Sequence, residues 1–206
     1  MKADRPVKYK TRQKSERGNT NMEANARIYQ DIKEILIRRE EIANAVKMLG
    51  EMITKDYEGK APVMVCILKG ASVFYVDLLR EIDLPVTMEF MIASSYGHGT
   101  STSGNVRIIK DLDYDVSGRD VILVEDIVDS GVTLDFLKRM FKERGVNSVR
   151  VATLLDKPAR RRVKLKADYY CFTVPDAFVV GYGLDYNQIY RNLPDICILK
   201  PEIYNK

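Results

Sequence analysis

The sequence predicts an α/β fold, with a mainly parallel, twisted sheet flanked by helices. Three observations carry this. Apolar, β-favouring runs of strand length recur at 62–68, 86–92, 120–125 and 148–155. Segments of helical periodicity, 73–82 and 133–144, fall between the first two and between the last two. Strands that alternate with helices build right-handed βαβ units and so a parallel sheet. The length of 206 residues, with 46% hydrophobic and 30% charged, suits one globular domain with a sizeable core.

The elements follow in chain order. Residues 38–57 form an amphipathic helix with Ile42, Val46, Leu49 and Ile53 on one face. The run PVMVCIL (62–68) is a buried strand that Gly70 ends, and a helix over 73–82 returns the chain. A second strand covers 86–92. Residues 94–104 hold three Gly and six Ser or Thr, the composition of a loop able to move. Residues 106–110 are a further strand, and SGRD (117–120) turns into the strand at 120–125. Helix 133–144 stops at Gly145, a good C-terminal signal. After the strand at 148–155 the chain is strand-rich but irregular.

Chemistry concentrates in VILVEDIVDSGVTL (121–134). Four β-favouring residues run into Glu125 and Asp126, then Asp129, Ser130 and Gly131, and Thr133 opens a helix. A strand, a small polar turn and a helix N-terminus make an anion site, because free N–H groups and the helix dipole face the ligand. Acids beside a phosphate site repel a simple anion. They make sense if the ligand also brings hydroxyls and a divalent cation, as a phosphorylated ribose does. The chain lacks GxxxxGK[ST] and a GxGxxG opening a helix, which disfavours P-loop and dinucleotide-binding readings. A single histidine, His98, argues against zinc and Ser–His–Asp chemistry and reads as a loop residue. Cys66, Cys171 and Cys197 are isolated in apolar settings and read as buried free thiols.

The segment resembles the phosphoribosyl-pyrophosphate motif of type I phosphoribosyltransferases. LKGA (68–71), SSYG (94–97), LLDKP (154–158), FVVGYGLDY (178–186) and YRNLPDICIL (190–199) appear in the order expected of the hypoxanthine-guanine branch, closest to the bacterial kind. The likeness runs from about residue 22 to 206. It implies the type I core with a small hood over the purine, and a role for each site residue. Glu125 and Asp126 would bind the ribose hydroxyls and help order Mg²⁺. Asp129, Ser130, Gly131 and Thr133 would hold the 5′-phosphate, with Asp129 also the catalytic acid near N7. Lys69, Gly70 and Arg191 would contact pyrophosphate, and the peptide before Lys69 would be cis. Lys157 would donate to the 6-oxo group, Phe178 would stack on the base, and Val179 would supply backbone contacts. Asp185 would serve the base side and Mg²⁺. Ser95 and Tyr96 would begin a mobile lid.

The implied reaction is phosphoribosyl transfer from phosphoribosyl pyrophosphate to hypoxanthine or guanine, in purine salvage, by a homodimer or homotetramer. Xanthine stays open as an additional base. A nucleotide- or RNA-binding regulator on the same fold is the rival, and Asp129, Lys157 and Phe178 argue against it, since a regulator needs no paired proton acceptor and oxopurine donor. The net charge of +4 is uneven. Residues 1–21 carry seven basic and two acidic residues, so the remainder is near neutral, at −1. The body therefore makes no case for nucleic acid, and the basic segment reads as a disordered extension ahead of a domain over 22–206. No apolar run reaches the ~20 residues of a membrane helix, and no signal-peptide segment is visible. Cytoplasm is the expected compartment.

Overall fold

The computed structural model describes residues 28–95 and 106–204. The expected lid from Tyr96, the loop reading of His98 and the basic segment 1–21 lie outside the described residues. Ser95 closes a strand.

Strand β1 (Ile32–Ile37) and helix α1 (Arg39–Asp56) lead into β2 (Val63–Ile67), α2 (Ser72–Arg80) and β3 (Thr87–Ser95). Then come β4 (Val106–Lys110), β5 (Asp120–Val128), α3 (Val132–Glu143) and β6 (Ser148–Asp156). A 3-10 turn (Pro158–Arg160), β7 (Tyr169–Thr173), β8 (Val179–Val180), β9 (Ile196–Leu199) and a short α4 (Pro201–Tyr204) complete the described chain. Six strands form the main sheet in the order β4-β3-β2-β5-β6-β7. All its pairs are parallel except β3–β4. The predicted α/β class and mainly parallel sheet are therefore present.

Alternation sorts the strand residues to two faces. In β2, Met64 and Cys66 join the core under α1 and α2, while Val63, Val65 and Ile67 join the core under α3. In β5, Ile122 and Val124 take the first face and Val121 and Leu123 the second. Strands buried on both faces read as continuous apolar runs, which is why they were legible. The helices dock by the expected stripes: Ile42, Val46, Leu49 and Ile53 from α1, and Leu134, Leu137 and Phe141 from α3, are all buried.

A second, antiparallel sheet, β1-β9-β8, makes the hood. It has its own apolar cluster of Tyr29, Ile32, Val180, Tyr190, Leu193, Cys197 and Leu199. One boundary needs correcting. The strand through 121–124 does not stop at Glu125. It runs to Val128, because Glu125, Ile127 and Val128 keep their register with Thr153, Leu155 and Asp156 of β6. The acids thus stand on the strand's end rather than in the turn. Among the described residues no helix is long and apolar enough to cross a membrane.

Candidate active site

The strand order reverses between β2 and β5, and ligands of open α/β sheets bind beyond the carboxyl ends of strands at that point. Lys69 and Gly70 follow β2, and Glu125 to Thr133 close β5 and open α3. A cleft of about 240 Å³ lies there, lined by Ile67, Leu68, Glu125, Asp129, Ser130 and Thr133 among others. A wider groove of about 820 Å³ runs between α1, α2 and residues 191–194. It carries none of the turn, which lines the smaller cleft together with Glu125, so the chemistry belongs to the smaller cleft.

The turn is built as an anion cradle. Gly131 sits at φ 79°, a left-handed conformation that glycine adopts without steric cost, and it is the N-cap of α3. Neither Asp129 nor Ser130 is the cap residue. The Ser130 hydroxyl accepts from the Val132 N–H at 3.4 Å, which folds the turn over the helix start. The first N–H groups of α3 lack intrahelical partners, as in any helix.

Glu125 and Asp126 are half-buried neighbours. Burial pushes the Glu125 carboxyl well above its ordinary range, and the adjacent Asp126 pushes it further. Burial raises Asp126 as well, while the Ile127 N–H, donating to its Oδ1 at 2.6 Å, and Arg191 oppose the shift. The pair wants a proton, a cation or a hydroxyl donor. Beside it the Leu68–Lys69 peptide is cis, as the resemblance implied. A Cβ on Gly70 would overlap the Asp126 carboxylate, and one on Gly183 would overlap the Gly70 carbonyl. Two segments therefore close on Gly70, one through a side chain and one through backbone, which explains glycine at both places.

Asp129 has one buried carboxylate oxygen, Oδ1, with no hydrogen-bond partner among the described residues. Its other oxygen lies 3.9 Å from Arg160, itself bound to Asp176 at 2.5 Å. Lys157 is 5% exposed and its ammonium donates to the Ala177 carbonyl at 2.9 Å. Burial lowers the lysine's pKa, and the nearby Asp129 charge partly restores it. An acceptor and a donor of opposite charge thus lie close enough to interact. Phe178 stacks on Tyr204 with ring centroids 4.8 Å apart and meets Tyr186 edge-on. Val179 is buried and pairs with Ile198.

The remaining residues form a charged cluster. Arg191 donates to the Gly183 carbonyl at 2.8 Å and to Gln188 Oε1 at 3.2 Å, and pairs with Asp185 at 2.8 Å. Lys69 reaches the same Gln188 oxygen at 3.4 Å. Gln188 was not anticipated; its left-handed φ of 66° places it there, and no local pattern announces that. Among the described residues no three His, Cys, Asp or Glu side chains gather to hold a metal. Mg²⁺ commonly binds through one or two carboxylates plus substrate phosphates, and the Glu125–Asp126 pair fits that mode.

Fold and cleft together define a protein that binds a phosphorylated sugar at the switch point of a parallel sheet. Residues 19–187 match the phosphoribosyl transferase domain family, and the chain belongs to it. It is similar to a hypoxanthine-guanine phosphoribosyltransferase of Streptococcus thermophilus, 54% identical over 176 residues, covering 85% of this chain and 98% of that protein. The corresponding Streptococcus pyogenes protein is 50% identical over 177 residues, covering 86% of this chain and 98% of its own. The crystal structure of a hypoxanthine phosphoribosyltransferase from Staphylococcus aureus superposes with a TM-score of 0.84 at 48% identity, covering 86% of this chain and 97% of that one.

Proposed function

We propose that this protein transfers the phosphoribosyl group of phosphoribosyl pyrophosphate to hypoxanthine or guanine, releasing pyrophosphate, as an enzyme of purine salvage. The observation that carries this is the pairing of a buried, unpartnered carboxylate oxygen on Asp129 with the buried ammonium of Lys157, beside a phosphate turn. A 6-oxopurine offers a carbonyl for the ammonium and a proton for the carboxylate.

In the reaction the C1′–O bond to pyrophosphate breaks and the C1′–N9 bond forms, through an oxocarbenium-like transition state. The turn 129–133 holds the 5′-phosphate through backbone N–H groups and the Ser130 and Thr133 hydroxyls. Glu125 and Asp126 accept from the ribose hydroxyls. Lys69 and Arg191 face the leaving pyrophosphate and stabilise its charge. Lys157 orients the base through O6, Phe178 offers a ring face, and the backbone at Val179 reads the base edge. Asp129 accepts the proton that the purine must lose. Glu125 and Asp126 would hold Mg²⁺, and when bound it supplies charge neutralisation at the leaving group. Asp185 reaches that chemistry by orienting Arg191. The protein acts in the cytoplasm as a homo-oligomer.

Steady-state rates with hypoxanthine, guanine, xanthine and adenine, read as pyrophosphate release, test the reading. Turnover of the first two and none of adenine is expected. No release with any base would leave a binding regulator instead.

A further inference from the structure

The run Arg160–Arg162 looks like a solvated basic stretch, yet Arg161 is not solvated. Its side chain is 14% exposed and pairs with Asp156, itself 20% exposed, at the end of β6. Its guanidinium also donates to the Leu165 carbonyl at 2.9 Å and to the Val128 carbonyl at 3.1 Å. The Val128 carbonyl belongs to the peptide that leads into Asp129, and it accepts a second bond, from the Lys157 N–H at 3.0 Å. Two residues on, the Ser130 carbonyl accepts from the Arg162 N–H at 2.9 Å. The Arg161 Cδ lies 3.1 Å from where a Cβ on Gly131 would stand. The segment that carries Lys157 is therefore joined to the end of β5 and the phosphate turn by two backbone bonds and one side chain, and that side chain is Arg161.

We infer that Arg161 is a positioning residue that holds the 5′-phosphate turn in register with the purine-reading lysine. The inference rests on the assignment of the turn to phosphate and of Lys157 to the base. It extends that assignment to a residue that touches neither. A guanidinium suits the task because its rigid fork serves carboxylate and carbonyls at once, which an ammonium does not. The turn itself is kept on α3 by its own bonds, Asp135 N–H to the Gly131 carbonyl at 2.9 Å among them. Loss of the clip should thus leave each half of the site formed and disturb their spacing. A ligand that spans both halves should suffer most.

The test compares two ligands by calorimetry on folded enzyme: IMP, which spans phosphate turn and base site, and phosphoribosyl pyrophosphate with Mg²⁺, which does not reach Lys157. Arg161→Met should weaken IMP by about tenfold or more, the scale of a lost charge-assisted bond. Phosphoribosyl pyrophosphate should weaken far less. Arg161→Lys should recover only part of the loss. Asp156→Asn removes the guanidinium's anion without touching the turn, and should give the same split if Arg161→Met does not fold. Equal weakening of both ligands, or a lower Tm with unchanged affinities, would overturn the inference. Ser130→Ala examines the assignment beneath it. If that variant weakens both ligands while Arg161→Met spares both, the inference alone fails. If Ser130→Ala changes neither, the phosphate assignment fails with it.

Discussion

Removing the Lys157 ammonium should cost the enzyme its grip on oxopurines. The side chain is almost wholly buried, and one of its N–H groups is committed to the Ala177 carbonyl at 2.9 Å. An ammonium has further donors and no acceptor capacity, so it rewards a purine carbonyl and gives nothing to an amino group. A charge-assisted hydrogen bond of this kind is worth about 1.5–3 kcal/mol, or roughly 10- to 150-fold. Lys157→Ala should lower kcat/KM for hypoxanthine and guanine by that order. It should also destabilise the fold, because it leaves a cavity and strips the Ala177 carbonyl of its donor. Lys157→Met separates the two effects. The thioether fills the space, so it should restore much of the Tm and none of the kcat/KM. Affinity for phosphoribosyl pyrophosphate alone should barely move in either variant. Burial holds the lysine below its ordinary 10.5, so its proton is lost at a lower pH than an exposed lysine's. The wild-type oxopurine kcat/KM should accordingly fall on the alkaline side, and the Met variant should lack that limb. An unchanged kcat/KM in Lys157→Met would refute the reasoning and move base recognition to the backbone around Val179.

Asp129→Asn keeps the shape of the turn and removes the proton acceptor, so turnover should drop by about 10²–10⁴-fold with the fold intact, read by steady-state kinetics and Tm. Glu125→Gln should stabilise the free enzyme while weakening phosphoribosyl pyrophosphate binding. The raised carboxyl favours its neutral form in the fold, so wild-type stability declines as pH rises from about the ordinary 4.5 through the raised value. The Tm advantage of Glu125→Gln should then be absent at low pH and present at neutrality, and a constant advantage across pH would contradict the assignment. Gly70→Ala places a methyl on the Asp126 carboxylate and should cost about 1–3 kcal/mol of stability as an overpacked site. It should also raise KM for phosphoribosyl pyrophosphate more than for the base.

The main sheet was legible because its strands are buried on both faces and its helices carry one apolar stripe. β1 was not, because its pairing with β9 is interrupted by register shifts that break the period of two. The hood's tight turns were equally silent. Tyr182, Asn187, Gln188 and Tyr190 all take left-handed φ values, which tertiary contacts impose and which no glycine announces. In the site, motif and position named residues that the fold sets near the switch point: the turn, the acid pair and Lys69. The partners were not. Nothing local says that Asp185 pairs with Arg191, that Phe178 stacks on Tyr204, or that only the middle arginine of three turns inward. Sequence reports what a segment offers, and the fold decides what meets it.

The charged cluster around Arg191 shows how that meeting can prepare a site. Arg191 and Lys69 share the Gln188 side-chain oxygen, and Arg191 is further fixed by Asp185 and the Gly183 carbonyl. Two cations close together repel, and a neutral acceptor between them with one acid alongside holds them in place without cancelling both charges. The Gly183 carbonyl comes from the segment that packs against Gly70, and Gly70 in turn packs against Asp126, so the arginine, the Lys69 loop and the acid pair are in contact through this one point. Transition-state charge is stabilised best by groups that need not reorganise when it develops. Burial that keeps Glu125 and Asp126 inclined to protonation serves the same end from the opposite sign. Until hydroxyls and a cation arrive, the acids need not carry full charge. The site therefore meets an anionic substrate with its positive side set and its negative side muted.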